Sequence, residues 1–490
     1  MSRMRTALSF AFLDRYAGFV VTLAASLVIA RILTPAEIGV WSVTAGVLAY
    51  ASMLRDFGAG QYLVQSPHLD ADRIRAVWTV QLGIGWALAA IVAAASAPLA
   101  DFYREPVMRE MLLVVAAGFA LNPLGSLTQA ALTRELRFDR LSLIRFVANA
   151  TVAATSVLLA WQGSGPLSLA WASLAGTLAT VLLCLCYRPR GWPWLPGLRG
   201  VRDAISFGSS LTVSSIMLTL VTTAPELLLG RLQGMGAAGL YSRAAGLIAM
   251  FGRLVSETVA SVATPWFAER RRNGEGLAVP FFDATACVTG LGWPFSVVVL
   301  FLAHPMLVVL FGSQWGDAAD AARILAVGGG FTIVAAMTGS ALVASGAAGT
   351  MLRASLASAA ETLILLGIAA GHSLILTCAA VTLSTAIGAL IWIESARRVV
   401  GFGWPDLLRS LRPSALLTAA AGVGPALATV LFGAQPERPM LAIGVGLTGA
   451  LLGFVLALRS SGHPLHREWL RWREGGPKNE RAAPISEEQK

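Results

Sequence analysis

The sequence predicts an all-α polytopic membrane protein of about 14 transmembrane helices, two pseudo-repeated six-helix lobes plus two C-terminal helices. Three observations predict it. Apolar residues make up 56 % of the 490-residue chain and charged residues 13 %, with a mean hydropathy of +0.68, whereas a soluble domain carries about 25 % charged residues. Apolar runs long enough to cross a bilayer recur along the chain. Basic residues gather in short bursts between those runs, as they do on the cytoplasmic face of membrane proteins. That clustering also turns the net charge of +10 away from nucleic acid as a partner.

A span needs about 20 mostly apolar residues. Fourteen segments qualify: 8–30, 40–63, 77–99, 108–130, 141–161, 165–186, 205–229, 238–262, 280–303, 323–345, 352–371, 373–393, 413–432 and 440–458. The first follows Arg3 and Arg5 and continues to about Ile32 without a small-residue cleavage site, so a retained helix is expected rather than a signal peptide. The eleventh and twelfth are separated only by Gly371 and His372. The expected division is an N-terminal six-helix lobe (1–186), a cytoplasmic linker (187–204), a C-terminal six-helix lobe (205–398), two additional helices (399–459) and a cytoplasmic tail (460–490). The linker YRPRGWPWLPGLRG is broken by proline and glycine, and Trp192 and Trp194 would suit the membrane interface. In the tail, PLHREWLRWRE suits a short interfacial helix, and the residues after Gly475 suit a disordered end.

Charge sets the orientation. With an even helix number and both ends inside, the cytoplasmic loops and tail hold twenty-six Lys and Arg residues and the opposite loops six: Arg31, Arg104, Arg109, Arg231, Arg323 and Arg438. In a bacterial-type cell this is the inner membrane.

An internal repeat underlies the two lobes. Aligned at an offset of 200 without gaps, ARILTPAEIGVWSVTAGV (30–47) faces GRLQGMGAAGLYSRAAGL (230–247). Arg31, Gly39, Ser42, Ala45 and Gly46 match Arg231, Gly239, Ser242, Ala245 and Gly246. Both segments join the first helix of a half to its second. Duplicated halves with a substrate held between them are a transporter architecture.

Several chemistries are excluded. Lysine occurs only at Lys478 and Lys490, so no P-loop exists to hydrolyse ATP. No HExxH motif is present, and His68, His304, His372, His463 and His466 are scattered. Cys184, Cys186, Cys287 and Cys378 lie in apolar stretches without zinc or disulfide spacing. Asp70 and Asp72 form an Asp-x-Asp that could hold a metal-bound sugar nucleotide, but beside Arg73 and Arg75 it is better read as solvated loop charge. No cofactor, metal or catalytic residue is expected, and no loop is large enough for an integral polysaccharide polymerase or glycosyltransferase.

Ionisable residues inside spans are the informative ones, because each is costly unless it faces a cavity or a partner. They are Asp14 and Arg15, Arg55 and Asp56, Arg145, Glu226, Arg243, Arg253 and Glu257, Asp283, and Glu361. Arg15, Arg55, Arg145 and Arg253 fall in the cytoplasmic half of their helices. Arg253 and Glu257, four apart, share a helix face. Individually such arginines could snorkel to the headgroups. As a group they outline a cationic cavity open to the cytoplasm, where planar guanidinium suits a phosphate. Glu361 sits near mid-span with no basic residue within a turn, either as a hydrogen-bonding structural acid or as an ion-coupling carboxyl; Asp14, Glu226 and Asp283 are further coupling candidates.

Taken in order, ARILTPAEIGVWSV, LRDFGAGQYLVQ (54–65), LTRELRFDRLSLIR (132–145), LLLGRLQGMGAAGLYSRAAGL (227–247) and FGSQWGDAA (311–319) resemble the polysaccharide transporter (Wzx-type flippase) family of the multidrug/oligosaccharidyl-lipid/polysaccharide (MOP) exporter superfamily. The resemblance implies two six-helix lobes around a central cavity plus two helices. It implies translocation of sugars linked to undecaprenyl pyrophosphate from cytoplasm to periplasm, in the company of membrane lipid, a polysaccharide polymerase and export machinery. By motif position it puts cavity charges at Arg55, Asp56, Arg145 and Arg253. The chain departs from the pattern at APELLLG, where many relatives place an aspartate earlier than Glu226. A drug/cation antiporter of the same superfamily is the alternative, and the arginine-rich cytoplasmic half argues against it.

Overall fold

A computed structural model describes residues 18–55, 63, 70–193, 195–201, 219–432 and 438–473, and among them there are helices and connections but no strand. Helix α1 (Gly18–Ile32) turns into α2 (Pro35–Arg55) through a capping box. The Glu37 carboxylate accepts from the Thr34 N–H at 2.8 Å, Thr34 Oγ1 accepts from the Glu37 N–H at 3.3 Å, and Pro35 fills the first helical position. Asp70 caps α3 (Ala71–Tyr103), its carboxylate accepting from the Arg73 N–H at 2.8 Å. Asp72 lies 3.7 Å from the exposed Arg199. At 33 residues α3 extends for about 50 Å, more than the roughly 30 Å of hydrocarbon it would cross.

Helices α4 (Pro106–Leu121) and α5 (Pro123–Arg134) occupy the expected span 108–130, bent by 50° between them. Pro123 has no N–H to continue the helical ladder, which is why the bend falls there. Trp78 Nε1 donates to the Pro123 carbonyl at 3.3 Å. Helices α6 (Phe138–Trp161) and α7 (Leu167–Cys186) pack together as a hairpin. Helix α8 is described over 219–232. The expected span 238–262 is not one regular helix: α9 (Met235–Phe251) enters a π-helical turn at Gly252–Ser256 before α10 (Glu257–Arg272).

Then come α11 (Ala278–Phe311), a 3-10 turn (Ser313–Ala318), α12 (Ala319–Ala335), α13 (Thr338–Ala344), α14 (Ala348–Ala369), α15 (Leu374–Val400), α16 (Trp404–Phe432), α17 (Pro439–Ser460) and α18 (Pro464–Arg473). Ten helices or helix runs among the described residues are long and apolar enough to cross a membrane, and the bent α4–α5 pair makes eleven. The protein is thus a multi-pass, all-helical membrane protein. The remaining expected segments fall on α1 and α8, of which Gly18–Ile32 and residues 219–232 are described, and on the π-broken stretch.

The chain forms two compact units. The first comprises Met1–Arg243, Leu310–Ala321 and Ala359–Val381. In it α2 and α9 cross in backbone contact. A Cβ on Gly39 would strike the Met235 carbonyl, and one on Gly239 would strike the Pro35 carbonyl. The contact is therefore reciprocal at the repeat offset, since 35 pairs with 235 as 39 pairs with 239. The segment FGSQWG caps α1: Trp315 Nε1 donates to the Ala30 carbonyl at 2.7 Å, and Gln314 Nε2 donates to the carbonyls of Ala30 and Leu33. The orphan carbonyls of a helix end are satisfied there by side chains. The linker packs on α3. Thr79 Oγ1 accepts from the Gly197 N–H at 2.9 Å, Arg188 stacks over Trp78, and Trp192 packs against the cluster of Leu63, Ile74, Val77 and Trp78. Trp192 is thus drawn into protein contacts; Trp194 lies outside the described residues.

The second unit comprises Ala244–Val309, Ala322–Ser358 and Thr382–Lys490. Its core gathers Phe251, Phe267, Phe281, Ile333, Met337 and Phe402, with Phe281 and Phe402 stacked at 5.1 Å. Polar side chains tie its helices, as between Thr264 and Ser340 at 2.8 Å. In lipid such packing and hydrogen bonds, rather than water exclusion, hold helices together.

Candidate functional site

The first unit contains a cavity of about 220 Å³ lined by α2, α4 and α7. Its wall combines a cation (Arg55), two aromatic faces (Trp41 and Phe119) and the hydroxyls of Ser52, Ser173 and Thr177. Arg55 is half-buried in the last described turn of α2, where a cation complements the helix dipole, and its guanidinium carbon lies 5.5 Å from the Phe119 ring centre. Guanidinium can hold two phosphate oxygens; hydroxyls and aromatic faces suit sugar rings.

The other expected site residues are distributed as follows. Asp14, Arg15 and Asp56 lie outside the described residues. Arg145 is exposed on α6 and does not line the cavity. The Arg253 backbone lies in the π turn, and its side chain is outside the described set. Glu257 begins α10 and is exposed. The π turn alters the premise of a regular four-residue spacing between Arg253 and Glu257; such turns often occur at functional sites. Glu226 is half-buried on α8 and accepts a hydrogen bond from Ser242 of α9. Glu361 is half-buried on α14, its Oε1 3.4 Å from Thr362 Oγ1. Asp283 is half-exposed and faces Arg467 of α18 at 3.8 Å, a separation and exposure at which an ion pair contributes little.

A second polar feature of the first unit was absent from the expected site. Arg243 donates from Nη1 to Ser26 Oγ at 2.8 Å, and its guanidinium lies 5.2 Å from the Phe311 ring and 5.3 Å from the Trp315 ring. Its Nε is buried without a hydrogen-bond partner among the described residues. The rings belong to FGSQWGDAA, whose position in the sequence signals importance but not that it encloses Arg243.

A family model described as "Polysaccharide biosynthesis protein" matches residues 28–320, more than half of the chain. The teichuronic acid biosynthesis protein TuaB of Bacillus subtilis (strain 168) is 24 % identical over 426 residues, covering 84 % of this chain and 86 % of that protein. The lipopolysaccharide biosynthesis protein WzxC of Escherichia coli (strain K12) is 24 % identical over 65 % of each chain. The succinoglycan biosynthesis transport protein ExoT of Rhizobium meliloti (strain 1021) is 26 % identical over 62 % of this chain and 61 % of that one. In fold, the chain is similar to the lipid II flippase MurJ in an inward closed conformation, with a TM-score of 0.74 at 12 % identity, covering 93 % of this chain and 99 % of that one. An inward-facing MATE family transporter of the MOP superfamily follows, with a TM-score of 0.58 at 14 % identity over 80 % and 96 % of the two chains.

Proposed function

Because the chain belongs to the polysaccharide biosynthesis protein family, we propose that it is a Wzx-type flippase of the MOP superfamily, which carries an undecaprenyl-pyrophosphate-linked oligosaccharide from cytoplasm to periplasm by alternating access. The single observation that carries the substrate chemistry is Arg55 in a cavity that also offers Trp41, Phe119 and three hydroxyls. That combination suits a sugar phosphate, and its cation would repel a cationic drug. Arg15, Asp56, Arg145, Arg253 and Glu257 complete the proposed substrate path, and Glu361, Asp14, Glu226 and Asp283 are the proposed coupling carboxyls.

The chain performs no bond chemistry in this scheme. It spans the inner membrane fourteen times, with lobes 1–186 and 205–398 and both termini in the cytoplasm, and it hands its cargo to a polymerase and export machinery. Deleting the encoding gene in its host tests the proposal. Lipid-linked oligosaccharide should accumulate on the cytoplasmic leaflet and return to normal when the chain is re-expressed. Accumulation on the periplasmic leaflet instead would mean that the block lies after translocation.

A further inference from the structure

We propose that His463 is a proton-sensitive latch: as a neutral imidazole it seats α18 on α11 and α16, and protonation of the ring releases that helix. His463 stands in the turn between α17 and α18. Its side chain enters a socket in which His463, Ser414, Thr289 and Thr285 are each 0 % exposed.

The hydrogen bonds around the ring fix its tautomer. Thr289 Oγ1 donates to the Thr285 carbonyl at 2.8 Å and shares a hydrogen bond with Ser414 Oγ at 2.9 Å. Ser414 Oγ donates to the Ala286 carbonyl at 3.3 Å and pairs with His463 Nε2 at 3.0 Å. The other ring nitrogen, Nδ1, accepts the Leu465 N–H at 3.1 Å. Because Nδ1 accepts, the neutral ring carries its proton on Nε2 and donates it to Ser414 Oγ. This tautomer also removes His463 as a base toward Ser414, so the pair is not a nucleophile. Gly290 of α11 makes room for the ring, because a Cβ there would lie 2.6 Å from both His463 Cε1 and Nε2.

A second ring proton has no place in this socket. On Nδ1 it would confront the Leu465 N–H, two donors meeting head on. The charges around the ring do not favour it. Arg467 of α18 acts on the imidazole and disfavours the cation. Asp283 of α11 faces Arg467 at 3.8 Å. On α16, Asp406 is engaged by Arg409 at 3.1 Å, and Arg412 is exposed. His466 sits one turn on, its N–H donating to the His463 carbonyl at 2.9 Å; Arg459 lies in the last turn of α17. Burial, reinforced by Arg467, pushes the imidazole down from its ordinary 6.5 to about 4 against a weaker opposing hydrogen bond to the Ala286 carbonyl. The sign follows. A released histidine binds its proton near 6.5 and a seated one near 4, so seating is fully favoured above 6.5 and weakens as pH falls between the two. The opening equilibrium should rise about tenfold from pH 7.5 to 5.5.

The test uses the full chain in lipid nanodiscs, with Cys184, Cys186, Cys287 and Cys378 replaced and a nitroxide on Leu470→Cys of α18. Histidine nitrogen shifts are recorded on ¹⁵N-histidine protein, with His463 assigned by its disappearance in His463→Gln. The expected results are a neutral His463 protonated on Nε2 at pH 7.5, and a mobile-to-immobile nitroxide ratio that rises about tenfold by pH 5.5. His463→Gln, which can still donate to Ser414, should stay immobile across that range. Gly290→Ala should already be mobile at pH 7.5. An imidazolium at pH 7.5, a proton on Nδ1, or a nitroxide ratio in the parent that does not change with pH overturns the proposal. None of these readings depends on what the chain transports.

Discussion

Arg55 and Arg243 present the same group in opposite settings. Arg55 is a wall residue of an open cavity, whereas Arg243 is held by Ser26, Phe311 and Trp315. We expect Arg55→Ala to weaken binding of a pyrophosphate-linked glycan by about 1.5–3 kcal/mol, the range for a hydrogen bond to a charged group. Lys should restore only part of it, because an ammonium lacks the planar fork; titration of purified variants with the glycan measures both. Equal affinity in all three proteins would remove Arg55 from the substrate path. Trp315→Phe keeps a ring over Arg243 but deletes the N–H that caps Ala30. It should lower thermal stability in detergent by about 0.5–1.5 kcal/mol, the net worth of one hydrogen bond, because Gln314 still donates to the Ala30 carbonyl; an unchanged melting temperature would mean that Gln314 satisfies that carbonyl alone. The sequence singled out Arg55 by its depth in a span. It could not reveal the box around Arg243, because Phe311 and Trp315 are distant in the chain and only the fold brings them there.

At the scale of elements, the α2–α9 crossing turns a sequence repeat into a contact. Gly39→Ala and Gly239→Ala should each destabilise the protein, because the added methyl meets backbone that cannot move aside like a flexible side chain. Gly236→Ala, with nothing within 4 Å of its Cβ, serves as a control. It should be neutral or gain up to about 1 kcal/mol, since alanine is the better helix former. Thermal unfolding of the three variants in detergent decides. A stable Gly39→Ala would show that the crossing can open without cost. The alignment of the two glycines at the offset of 200 was legible in the sequence, but their contact was not, because an alignment does not say which helices touch. The π turn at Gly252–Ser256 was not, since GRLVS carries no composition that distinguishes it from ordinary helix. The bend at Pro123 is marked in the sequence by proline, yet the span it interrupts reads as continuous in hydropathy. Trp192 was expected at the membrane interface because tryptophan suits that zone; which helix such a segment docks on is decided by shape, and it docks on α3.

At the scale of the whole molecule, hydropathy and charge carried most of the information, because lipid as a solvent demands long apolar helices and the basic residues report the side. The proposed orientation predicts that single cysteines at Gly163 and Gln435 react with an impermeant thiol reagent from outside intact cells, in a background without native cysteines. Cysteines at Gly274 and Ser486 should stay unreactive until the membrane is opened. Outside labelling at position 274 would overturn the fourteen-span topology. The central claim is translocation of a lipid-linked oligosaccharide, and the most direct measurement places purified protein in liposomes containing a fluorescent undecaprenyl-pyrophosphate glycan and follows loss of its glycan to an enzyme confined to one side. Protein-containing vesicles should expose nearly all of the glycan to that enzyme, and the Arg55→Ala variant should do so far more slowly. If half of the glycan stays protected in protein-containing and empty vesicles alike, the chain does not flip this lipid.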